Sequence, residues 1–367
     1  MTITPRTPSG PTPIDALTLR SPDALLAAVP YLLGFRPSES AVVVWLRGGR
    51  ILLTQRLDLP PHESDLPGWR AAMWTHAAAE GAEEIVVVLA TERADLDWIS
   101  DAILADADDR GIEIRDALRT AGNRWWSLLC TDESCCPPAG RRVDPDVAAA
   151  VAAEFTGLGQ APLPDRGSIE DSMAADPQQI AEVVRRLPAG LPGRSTARRR
   201  REVWRDRSLE LVRVALTEPP RVGRTVESPS VIARLLLGLA DIRVRDTALW
   251  DLAHGEQDEL RRALDVLTQG LRAAPEGLVA PVATCVAIVA WQLGDGTRAS
   301  IAVDRALEDE PGYSLAGLVS ASLRAGLPPR AWREAMGGLT REICRYGTSG
   351  GSGADDIDHS AEQKESA

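Results

Sequence analysis

Three cysteines stand close together in this chain, Cys130, Cys135 and Cys136, inside residues 124–140, RWWSLLCTDESCCPPAG. Thiolates are soft donors that bind zinc, and thiols this near one another can also exchange to a disulfide. The C-x₄-C-C spacing departs from the C-x₂-C pairs of zinc ribbons and supplies three sulfurs. A fourth ligand would have to come from Asp132, Glu133 or a distant histidine. A bond between adjacent cysteines closes a strained ring, which leaves Cys130 with Cys135 or Cys136 as the redox pair. A packed or capping loop is the plainer account, and the sequence alone favours it over zinc or redox chemistry.

A second candidate precedes the first β-rich run, in residues 34–40 (GFRPSES). Arg36 with the hydroxyls of Ser38 and Ser40 has the donors to hold a carboxylate or phosphate. The competing account is a helix-to-strand turn in which Ser40 satisfies backbone groups and Arg36 is solvated. Arg56 and Asp58 alternate on one strand and so share a face, as part of a polar site or as a strand-end ion pair. The chain has no G-x-G-x-x-G and no G-K-[ST] ending, so nucleotide binding has little support. His62, His76, His254 and His359 are scattered, His76 on the inner stripe of a helical segment, and no nucleophilic triad is suggested.

Arg198, Arg199, Arg200 and Arg201 form a basic patch. Over residues 185–213 ten arginines against Glu202, Asp206 and Glu210 give +7, which leaves −19 for the rest of a chain whose net charge is −12. That overall field repels phosphate backbones and makes nucleic acid an unlikely partner. A solvated helix start is the favoured reading of the patch. Forty of the 41 basic residues are arginine, a bias that describes a GC-rich source rather than a mechanism. With five cysteines and no apolar core in the first 16 residues, no signal peptide is credible, and a reducing cytoplasm is the expectation. The longest apolar run, 279–291, is too short to span a bilayer and reads as a buried helix, so no membrane insertion is expected.

The elements that must position these residues are legible in outline. Ser21-Pro22-Asp23 is a helix start, with Pro30 forcing a kink or a second short helix that ends near Gly34. Residues 41–46 and 51–57 flank Arg47-Gly48-Gly49-Arg50, a hairpin signal. A helix over 66–80, a buried strand at 84–90, a helix over 95–109 on Leu96, Ile99, Ile103 and Leu104, and strands at 111–118 and 124–130 follow. The order β-β-α-β-α-β-β implies a mixed sheet flanked by helices. The expected organisation is a leader at 1–16, an α/β domain at 17–143, a helical bridge and linker at 144–203, a helical-hairpin domain at 204–346 and an acidic tail at 347–367.

The second half repeats itself. Gly294, Ala299, Ala306, Leu307 and Pro311 take the small, close-packed and helix-ending positions of a tetratricopeptide helix pair, and Ala263, Leu271 and Pro275 do so 36 residues earlier. Trp291 is the natural filler between the pairs. Three segments taken in order carry a family resemblance. They are 25–44 (LLAAVPYLLGFRPSESAVVV) with Arg56-Leu57-Asp58-Leu59-Pro60 after it, 124–140, and 294–316 (GDGTRASIAVDRALEDEPGYSLA). Together they make the chain resemble an actinobacterial family known as domain of unknown function 4192. The resemblance implies an actinobacterial cytoplasmic protein and leaves the activity to be read from the residues.

Two functions are in contention. One is a non-enzymatic interaction or regulatory protein that binds a protein partner through its helical half, with the α/β half a regulatory or ligand-sensing module. The other is a metal-binding or redox-active enzyme centred on Cys130, Cys135 and Cys136, with zinc the candidate ion.

Overall fold

A computed structural model describes residues 21–75, 81–188, 197–218 and 228–347. The leader expected at 1–16 lies outside these residues, as do 189–196 of the expected bridge and linker and the acidic tail apart from Gly347. The chain divides into two compact units, Met1–Arg166 and Gly167–Ala367.

The first unit begins with helix α1, Pro22–Leu33, whose N-cap Ser21 accepts the amide of Ala24 at 3.2 Å. The helix runs unbroken past Pro30 and ends at Gly34, whose φ of 79° is the left-handed cap that glycine adopts without strain. Pro30 forgoes one backbone bond within the last turn, which is why it neither breaks the helix nor starts another. Strands β1 (Ser40–Arg47) and β2 (Arg50–Asp58) are joined by Gly48 and Gly49, at φ 54° and 74°, the double left-handed geometry of a two-residue hairpin. Helix α2 (Leu66–Trp74), strand β3 (Glu84–Ala90), helix α3 (Asp97–Arg110) and strands β4 (Glu113–Ala121) and β5 (Arg124–Ser127) follow in the expected order. A two-residue strand β6, Arg141–Arg142, and helix α4, Pro145–Gly157, complete the unit.

The sheet runs β2-β1-β3-β4-β5-β6. Only β3 and β4 pair in parallel; every other pair is antiparallel. On one face Ala41, Val43, Trp45, Ile85, Val87 and Leu89 pack against Trp69 and Met73 of α2 and Ile99 and Ile103 of α3. On the other, Val42, Val44, Val86 and Val88 are also buried, and α1 lies over the sheet with α4 packed on it through Ala28, Val151 and Phe155. Covering both faces is why β1 and β3 read as unbroken aliphatic runs. Each fully buried Ile or Val contributes roughly 1.5–3 kcal/mol. The inner stripe of α3 differs from the one expected from its apolar residues. Asp106 is buried on it while Leu104 is only half-buried, because the Asp106 carboxylate accepts Arg70 Nε at 2.7 Å, Arg70 Nη2 and Trp74 Nε1 at 2.8 Å.

The second unit is helical throughout its described residues. Its helices are α5 (Arg166–Met173), α6 (Pro177–Val184), α7 (Arg198–Thr217), α8 (Pro229–Ala240), α9 (Ile242–Ala253), α10 (Gln257–Arg272), α11 (Val279–Gln292), α12 (Gly296–Asp309), α13 (Ser314–Arg324), α14 (Pro329–Gly337) and α15 (Arg341–Tyr346). Helix α11 is the centre, buried along nearly its whole length and packed by α8, α9, α10, α12, α13 and α14. Arg245 of α9 is buried beside it, with Nε and Nη2 on Asp246 Oδ1 and Nη1 donating to the Tyr313 hydroxyl. No helix among the described residues is long and apolar enough to cross a membrane.

Candidate functional site

The cysteine loop, residues 128–140, leaves the sheet at the end of β5 and returns to it as β6. Leu128 N–H still donates to Ala117 O at 2.8 Å, so the chain departs only after Leu128. Ser127 Oγ then accepts the amides of Leu129 and Cys130 at 3.2 and 3.1 Å, a hydroxyl-capped turn. Asp132 organises the next turn. Its carbonyl accepts from the amides of Cys135 and Cys136 at 3.1 and 2.7 Å, and its Oδ1 accepts from the amide and hydroxyl of Ser134. The far end is clamped by arginine and tryptophan. Arg124 Nη1 donates to the carbonyls of Ala139 and Gly140, Trp126 Nε1 to Pro138 O, and Arg141 Nη1 to Cys135 O. Gly140, at φ 73°, lies so close to Trp126 that a Cβ there would stand 2.5 Å from Cε2 of the indole. These clamps are absent from any cysteine motif; Gly140 and Trp126, at either end of the loop, are the residues that sequence reasoning passed over.

The result is a cluster. The Sγ atoms of Cys130, Cys135 and Cys136 all lie within 4.8 Å of one another, and no histidine or carboxylate joins them among the described residues. Cys135 is exposed and the other two are half-buried, so none is a core side chain. The Asp132 amide, and then the Cys136 thiol, stabilise a thiolate on Cys130 and lower its pKa. Cys136 goes the other way, pushed up to about 11, chiefly because its thiol donates to Cys130. Around a tetrahedral ion with Zn–S bonds near 2.3 Å, sulfurs sit roughly 3.8 Å apart. The triad therefore closes on an ion by side-chain rotation of about 1 Å or less. Cys285 and Cys344 are free and buried in the second unit.

The other candidate residues meet in part. Ser40 Oγ donates to Ser38 O at 2.6 Å and accepts from Arg56 Nε at 2.9 Å, while Arg56 Nη2 pairs with Asp58 at 2.5 Å. Ser40, Arg56 and Asp58 are thus one strand-end network, whereas Arg36 is exposed and contributes a backbone bond to Leu163 O. Two residues absent from the sequence argument stand beside it. Glu39 has φ 43°, and its carboxylate accepts from the hydroxyl of Thr91, just past the end of β3. Arg198 to Arg201 form the first turn of α7, Arg198 to Arg200 exposed, and Arg198 pairs with Glu202 at 2.9 Å. His62 is exposed, His254 stacks on Trp250, and His76 and His359 lie outside the described residues.

Comparison with curated proteins and with solved structures finds no match. Residues 22–330 match the family model described as a domain of unknown function, DUF4192, and the chain belongs to that family.

Proposed function

We propose that the chain is a thiolate metal-binding protein whose centre is the loop of Cys130, Cys135 and Cys136, with zinc the ion that this donor set suits. The observation that supports the reading is three sulfurs within 4.8 Å of one another on a loop that does not bury them. A packing role would place the thiols in the core, as it does Cys285. Five free thiols suit a reducing compartment such as the cytoplasm. The test is metal content and free-thiol count on full-length protein purified anaerobically without chelator. One zinc per chain, lost in Cys135→Ser/Cys136→Ser with the circular dichroism unchanged, supports the reading. No metal with five slowly reacting thiols overturns it, and a Cys130–Cys135 or Cys130–Cys136 disulfide that forms on mild oxidation replaces it with a redox switch.

A second reading belongs to the helical unit, as a tetratricopeptide-like stack that binds a protein partner. What favours it is the succession α10, α11, α12 and α13, each packed on the next and α11 most extensively on α12, with Ala263, Ala299 and Ala306 fully buried at the positions where close approach needs small side chains. Leu318 of α13 is 66% exposed, an apolar side chain left for a partner. Cross-linking of the full-length chain in cells checks it: a specific protein adduct, lost in Leu318→Glu, is expected, and none at any α13 position would sink the reading.

A further inference from the structure

We infer that the ion in this loop keeps one coordination position open to solvent on the Cys135 side, and that this position takes a small exogenous thiolate. The inference rests on the metal-binding reading and adds the ligand. Three sulfurs converge, and the other donors nearby stand outside the cluster. Asp132 is one of them, its Oδ1 turned to the amide and the hydroxyl of Ser134 and its carbonyl to two amides. Glu133 is exposed and outside the cluster, as is His62. Nor does the loop fold over to bring a carboxylate in without giving up its clamps, since Arg124, Arg141 and Trp126 each hold a backbone carbonyl between Cys135 and Gly140. A three-ligand site of this kind is the arrangement that leaves zinc a fourth position for water or substrate.

The direction of the opening follows from burial. Cys130 and Cys136 are half-buried and Cys135 is exposed, so an ion seated on the three sulfurs meets solvent beside Cys135. The character of the fourth ligand follows from charge and softness. A divalent ion with three thiolates carries one net negative charge, and a fourth thiolate adds another. Three guanidinium groups stand around the loop to offset it: Arg141 on Cys135 O, Arg124 on Gly140 O and Arg119 over the Trp126 ring. An ion already held by sulfur takes a soft anion ahead of a carboxylate.

Cobalt(II) reports both halves separately. The full-length chain, reduced with a phosphine under argon, is titrated with Co²⁺ and its visible and near-ultraviolet spectra recorded, then β-mercaptoethanol is added. The expected result is tetrahedral d–d bands with sulfur-to-cobalt charge transfer of three thiolates, rising saturably by roughly one third as a fourth sulfur binds. Glu133→Gln leaves that spectrum unchanged. A tetrahedral spectrum that added thiol does not alter means the chain supplies all four ligands, which overturns this inference and leaves the metal reading standing. A failure of Co²⁺ to give tetrahedral bands overturns both.

Discussion

Gly140→Ala tests the clamp on which the cysteine cluster depends. Two costs add. The left-handed backbone at φ 73° penalises any side chain by about 1–2 kcal/mol. The new Cβ would also stand 2.5, 2.7 and 2.8 Å from Cε2, Cζ2 and Nε1 of Trp126, so the indole must leave. Its departure loses the bond to Pro138 O, worth about 1 kcal/mol net, and the Arg119 guanidinium 4.3 Å above the ring, worth about 0.5–1 kcal/mol. The sum is about 3 kcal/mol. Gly122→Ala is the control, because Gly122 has φ 56° with nothing within 4 Å and suffers the backbone cost alone. Urea unfolding of the full-length chain measures both, with the first unit's transition identified as the one that Ile103→Ala moves by about 2–5 kcal/mol. Gly140→Ala is expected to exceed Gly122→Ala by about 2 kcal/mol. Equal shifts, within about 0.5 kcal/mol, would refute the claim that this contact locks the loop.

Other expectations follow from the same contacts. Asp106→Asn loses the charge that Arg70 and Trp74 bind and is expected to destabilise the first unit by about 1–2 kcal/mol, held down because Arg70 is 40% exposed and rehydrates. The Arg70 hydrogen bond holds the Asp106 carboxyl below its ordinary 3.8, so its contribution is complete above about pH 4 and fades as pH falls through the lowered value. The wild-type advantage over Asp106→Asn in acid unfolding should shrink accordingly. Tyr313→Phe leaves Arg245 short of one acceptor and should cost about 1.5–3 kcal/mol in the second unit's transition. Burial pushes the Tyr313 hydroxyl from 10.0 up to about 12, so between these values the unfolded chain has released a proton that the fold retains. Stability therefore falls as pH rises through that window, and less steeply in Tyr313→Phe. Thr91→Val removes the hydroxyl shared by Glu39 and the Arg93 amide and is expected to cost about 1–2 kcal/mol by the same urea assay.

The sheet was largely readable because its determinants are local. Two glycines between aliphatic runs specify the β1–β2 hairpin, and four uninterrupted aliphatics specify β3, which both faces of the sheet then bury. What escaped depends on partners distant in the chain. Asp106 on the inward stripe of α3 makes sense only once Arg70 and Trp74, more than thirty residues earlier, are beside it. Strand β6 is two residues long and carries no hydrophobic period. The cysteines were visible as a motif, but the C-x₄-C-C spacing does not say whether the sulfurs converge. Their convergence is set by Ser127, Asp132, Arg124, Trp126 and Gly140, whose roles are backbone hydrogen bonds and one van der Waals contact. Glu39 and Thr91 illustrate the same limit, being fifty-two positions apart and joined only because the antiparallel pairing of β1 with β3 sets the start of one beside the end of the other.

Strand β6 has a colloidal consequence. An edge strand with free amides and carbonyls is a template on which another chain can add, and short, charged edges are how proteins deny it. Here the guard on β5 is two arginines, Arg141 and Arg142, and their pairing with Trp125 and Arg124 is held by the same loop that carries the cysteines. Detaching that loop would bare the backbone of β5 together with two tryptophans. The loop thus doubles as the sheet's seal, and insults that unseat it, such as oxidation of its thiols or a Cβ at residue 140, should show first as edge-to-edge self-association before any loss of the fold.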